Sequence, residues 1–74
     1  MKYTVRTLSF MDRKVTKIEI EDKAEVFLIP VINEDTLNKI NTFKKRLEDM
    51  GMTCSYEKDF NHLVCLRTSE KITS

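Results

Sequence analysis

The sequence predicts a small α+β domain, an antiparallel β-sheet with one amphipathic helix packed on one face, in the chain order β-β-β-α-β-β. Three observations carry that prediction: runs of β-branched and aromatic residues flank a single stretch of helical periodicity, a lone glycine ends that stretch, and the connections are too short for anything but antiparallel neighbours. The 74 residues make one domain over 1–68, followed by a polar tail over 69–74 that frays. A chain of this size buries only about 60% of the surface its unfolded form exposes, so a disulfide, a metal or a second subunit is a common supplement.

Tyr3 to Phe10 and Val15 to Ile20 read as a hairpin, with Met11, Asp12, Arg13 and Lys14 between them. A two-residue loop at Asp12 and Arg13 sets Val5 opposite Ile20, Thr7 opposite Ile18, Arg6 opposite Glu19, Leu8 opposite Lys17 and Phe10 opposite Val15. Tyr3, Val5, Ile18 and Ile20 then share one face. The other holds the Arg6 and Glu19 charge pair and an apolar cluster at the turn.

A third strand follows over Ala24 to Ile29 and ends at Pro30, which has no N–H for a ladder. It belongs to an unbroken apolar run from Val26 to Ile32, the pattern of a strand covered on both faces. Loop register decides whether Val26 and Leu28 or Phe27 and Ile29 meet the helix, and the remaining pair points away.

Periodicity predicts the helix over Glu34 to Met50. Asn33 suits the N-cap, Glu34 and Asp35 suit the positive end of the helix dipole, and Ile32 with Leu37 has the spacing of a hydrophobic staple. Leu37, Ile40, Phe43, Leu47 and Met50 make the apolar stripe, and Gly51 supplies a left-handed stop. Met52 to Tyr56 and Leu63 to Thr68 form a second hairpin turned by Asp59, Phe60 and Asn61.

Composition excludes more than it assigns. Thirteen basic and twelve acidic residues leave a net charge of +1, and only residues 1–23 lean basic, with six basic against four acidic groups. No stretch approaches the roughly 18 apolar residues of a membrane span, and the first residues lack a signal-peptide core, so a cytoplasmic protein is expected. In that compartment Cys54 and Cys65 are expected as reduced thiols, with a cross-strand disulfide only if the hairpin register sets them opposite.

No chemistry is named by a motif. His62 with Cys54 and Cys65 lacks the paired close spacing of zinc ligands, and His62 and Cys65, three apart on a strand, point to opposite faces. One glycine cannot build a phosphate loop. The carboxylate pairs Glu21-Asp22 and Glu48-Asp49 fall in a turn and on a helix surface. The expectation is therefore a non-enzymatic domain with no cofactor and no metal.

What remains is a surplus of apolar groups. Leu8, Phe10 and Val15 lie on the hairpin face away from Val5 and Ile20, and Phe27 and Ile29 extend that patch if Val26 and Leu28 take the helix. Apolar patches of more than a few hundred Å² on a small domain commonly mark interfaces. The sequence therefore suggests a protein-binding module, an accessory, regulatory or inhibitory protein that docks on a partner or on itself as a homodimer, through Leu8, Phe10, Val15, Phe27 and Ile29. The alternative is a small nucleic-acid-binding regulator whose phosphate contacts come from Arg13, Lys14, Lys39 and Arg46.

Overall fold

The structure, a computed structural model, describes residues 2–21, 23–33 and 35–68. The expected tail over 69–74 lies outside them. Five strands, β1 (Tyr3–Phe10), β2 (Arg13–Ile20), β3 (Ala24–Pro30), β4 (Thr53–Glu57) and β5 (His62–Thr68), form one antiparallel sheet, and one helix, α1 (Leu37–Asp49), packs on one face. The spatial order is β1-β2-β3-β5-β4, so β3 is the central strand and β1 and β4 are the edges. The class is α+β, in the chain order the sequence predicts, with a short 3-10 turn at Lys58–Phe60 between β4 and β5.

The first hairpin turns one residue earlier than expected. Met11 and Asp12 both adopt left-handed φ values, 50° and 65°, the requirement of a tight two-residue hairpin loop that matches strand twist. That loop slips the register by two residues. Leu8 now faces Val15, Val5 faces Ile18, Thr7 faces Thr16, and Arg6 faces Lys17 rather than Glu19. A slip of two preserves faces, because side chains alternate with a period of two. The like charges of Arg6 and Lys17 are both met by Glu19, whose carboxylate lies 3.7 Å from Arg6 Nε and 3.8 Å from Lys17 Nζ.

The helix begins later than periodicity suggests. Thr36, not Asn33, is its N-cap, with the hydroxyl accepting from Lys39 N–H at 3.1 Å. Asp35 is engaged elsewhere. Its carboxylate receives the Arg13 guanidinium through two bonds of 2.5 and 2.8 Å and also accepts from Ile32 N–H at 2.9 Å. Ile32 and Leu37 remain exposed, so no staple forms. Ile40, Phe43 and Leu47 are the buried stripe, while Leu37 and Met50 at its ends reach solvent. At the far end Gly51, at φ 89°, directs Met52 N–H back to Leu47 C=O and its own N–H to Glu48 C=O, the paired bonds of a Schellman cap.

The core lies between α1 and the sheet: Phe43 and Leu47 meet Val15, Phe27, Ile29, Leu63, Cys54 and Cys65, with Met52 closing the helix end and Leu8, Phe10 and Val31 packed at the margin. Cys54 and Cys65, expected as thiols, face each other across β4 and β5 and are joined by a disulfide. Register brings them together, since the left-handed Asn61 ends the 3-10 turn and Cys54 lies directly opposite Cys65.

Two measurements test this frame. The disulfide closes a loop of sequence separation 11, for which chain entropy gives about 3 kcal/mol of stabilisation. Cys54→Ala with Cys65→Ala, and reductant acting on the unmodified chain, should each lower stability in urea by about that amount; a midpoint unmoved by reductant would exclude the bond. Asp35 is held below the usual aspartate range chiefly by its Arg13 hydrogen bonds, with Ile32 N–H assisting and burial opposing. Because the folded value is the lower one, this stabilisation is complete above the usual carboxylate range and is lost as pH falls through the folded value. Asp35→Asn should cost about 3 kcal/mol at pH 7 and flatten the acid limb of the stability profile; an unchanged limb would show that the pair carries no linkage.

Candidate protein-docking site

The sheet face turned away from α1 has no element over it among the described residues. Register arranges it in rows. Thr7, Thr16, Leu28, Val64 and Ser55 form one row across the five strands; Val5, Ile18, Val26, Leu66 and Thr53 form the next; Tyr3, Ile20, Ala24 and Thr68 form the last. The middle of this surface is apolar on three adjacent strands. Leu66 is 43% exposed, Val5 54% and Tyr3 65%.

Toward the β4–β5 turn the face deepens into a groove of about 410 Å³ lined by Leu28, Glu57, Phe60, His62 and Val64. Phe60 stands at its edge, 71% exposed, because the 3-10 turn that carries it has no buried residue. Two short bonds fix the polar rim. His62 Nδ1 lies in hydrogen-bond contact with Phe60 C=O at 2.6 Å, and the Ser55 hydroxyl donates to Glu57 Oε2 at 3.0 Å.

The five residues expected to meet a partner lie on the other face. Val15, Phe27 and Ile29 are buried in the core beneath α1, and Leu8 and Phe10 pack against it, with the Phe10 ring 6.2 Å from that of Phe43. The alternation that groups them is correct; the face that takes the helix is the reverse of the one assumed. Arg13 lies on the side that the helix takes, where its guanidinium bonds Pro30 C=O and Asp35 and sits 4.9 Å over the Phe43 ring. The apolar surface of the open face therefore consists of exposed Tyr3, Val5 and Leu66 with half-buried Ile18, Ile20, Val26, Leu28 and Val64 between them, residues that sequence reasoning placed under the helix or left unassigned.

The four basic residues of the nucleic-acid alternative do not share a surface. Arg13 lies on the helix side and is engaged there, Lys14 alternates onto the open face, and Lys39 and Arg46 are exposed on α1. No three His, Cys, Asp or Glu side chains converge as a metal-binding group among the described residues, and no helix among them is long and apolar enough to cross a membrane.

The helix side supplies a direct comparison for the open face. The helix packs mainly on β4 and β5, covers the turn end of the first hairpin at Val15 and Phe10, and leaves the other end of β1 and β2, around Arg6, Lys17 and Glu19, uncovered. There the chain places Arg6, Lys17, Glu19 and Glu25, with Arg67 alongside: Lys17 Nζ is 3.3 Å and Arg67 Nη2 2.6 Å from the Glu25 carboxylate. Those partners, the Arg67 hydrogen bond first and Lys17 after it, hold Glu25 below the usual glutamate range against the opposing effect of burial. On the open face only Lys14 and Glu57 carry a formal charge among the described strand residues. Comparison of the chain with family models, with curated proteins and with solved structures finds no match.

Proposed function

We propose that this chain is a non-enzymatic protein-binding module, an accessory or regulatory domain whose working surface is the open sheet face. The observation that carries the reading is the charge contrast between two uncovered surfaces of one sheet. Where the helix does not reach, the chain uses an ionic network; on the open face it uses Val, Ile and Leu. Depletion of charge at the centre of a surface, with a polar rim, is the compositional mark of an interface core. Leu66 and Val5 supply apolar area, while Ser55, Glu57 and His62 form the polar margin. The docking face lies on the opposite side of the sheet from Cys54 and Cys65, so its contacts do not depend on whether that pair is oxidised.

The test is site-specific photo-cross-linking in the cells that make the protein. A photoreactive residue at position 66, in the centre of the face, should give an adduct of protein mass that the same group at position 45, on the exposed helix surface, does not give. Adducts from neither position, or adducts to nucleic acid from position 66, would overturn the reading.

A further inference from the structure

Resting on that docking reading, we infer that the occupant of the open face is a second copy of this chain, packed sheet on sheet about a two-fold axis that lies between the sheets, about 15° from the direction of β3. Area comes first. Five strands about 4.8 Å apart, each about seven residues long at about 3.4 Å per residue, give a face of roughly 24 by 24 Å. At full overlap two such faces remove about 1,100 Å² from water, just above the threshold of about 1,000 Å² for a specific interface. Aligned sheets are a standard packing, with strands crossing at about 30° and side chains interdigitating in a layer about 10 Å thick.

The charges then choose the axis. Lys14 and Glu57 lie at the same end of the sheet, Lys14 on β2 opposite Ser9 and Glu57 on β4 opposite His62, so they flank the central strand on opposite sides. Rotation by 180° about an axis along β3 keeps that end in place and exchanges the two sides. It lays Lys14 of each chain over the His62 end of β5 of the other, one strand spacing of about 4.8 Å from Glu57 and within reach of a lysine side chain, twice per dimer, at the rim. An axis perpendicular to the strands would instead carry both charged ends over the opposite, apolar end, leaving each charge without a counter-charge. The same rotation lays the protruding Phe60 over the β1 and β2 side of the second copy, where Ser9, Thr7 and Thr16 are small. Val26 and Leu28, on the central strand, meet their own copies at the axis.

Light scattering and sedimentation equilibrium on the purified full chain should report twice the chain mass at micromolar concentration. Leu66→Glu, at a position already 43% exposed, should give a monomer with unchanged far-ultraviolet circular dichroism. Lys14→Glu and Glu57→Lys should each weaken association about tenfold at low salt, and the double exchange should restore it to within about threefold. A mass that stays monomeric at millimolar concentration overturns the inference, as does a dimer that survives Leu66→Glu, or single charge variants that the double exchange does not rescue. A monomeric chain whose position 66 still cross-links to a different protein would end the dimer and leave the docking reading standing.

Discussion

One helix of thirteen residues has to cover a five-stranded sheet, and the arrangement of the chain follows from how little of that sheet the helix reaches. Its path is pinned at both ends by arginine. Arg13 holds Asp35, just before the helix begins, and Arg67 donates to Met50 C=O, just after it ends. Between these anchors the helix lies over β4 and β5, with Phe43 and Leu47 filling the space above Ile29, Leu63 and Cys65. The remaining corner is closed with charge, where Lys17, 6.0 Å from the Phe27 ring, lies over an edge of the core that the helix leaves open. Each of these side chains combines an apolar stem with a charged head, which lets a thin covering shield core atoms while staying hydrated.

That economy gives the two faces of the sheet different physical characters. The helix-side face divides into an apolar half beneath α1 and an ionic half beyond it. The opposite face keeps an apolar centre with no covering from its own chain. A domain of this size gains little from burial on one side alone, so uncovered valine, isoleucine and leucine on the other side represent burial not realised within one chain. The ionic corner shows that this chain has a water-compatible way to finish a sheet surface, and the open face does not use it.

Element type and order were legible in the sequence because they rest on local signals: strand-rich runs, a glycine after the helical stripe, turn residues between the last strands. Details decided over longer distances were not. Thr36 rather than Asn33 caps the helix, and Asp35 beside it is held by Arg13, 22 positions away in sequence. The loop at Met11 and Asp12 carries no glycine or asparagine to announce left-handed geometry. Cys54 and Cys65 could be matched only once the turn at Asn61 was placed. The candidate docking face was half legible: alternation separates the two apolar sets cleanly, but both sets are large enough to receive a helix. On the face that the helix takes, Arg13 binds Asp35 and stands over Phe43, although in sequence it reads as a solvated turn residue.

The edges of the sheet offer a different route to association, and its physics explains why the face matters more. β1 is an outer strand of eight residues, and pairing it with β1 of another copy would extend the sheet through backbone hydrogen bonds. Unpaired edge groups, however, are already hydrogen-bonded to water, so the net gain per bond is only about 1 kcal/mol before the cost of ordering two strands. Edge pairing would also leave every apolar group of both open faces where it was, merged into one larger exposed surface. Face packing removes that surface and leaves the edges hydrated. The free energy stored in the open arrangement lies in exposed Val, Ile and Leu side chains rather than in unpaired N–H and C=O groups, and only contact across the face releases it.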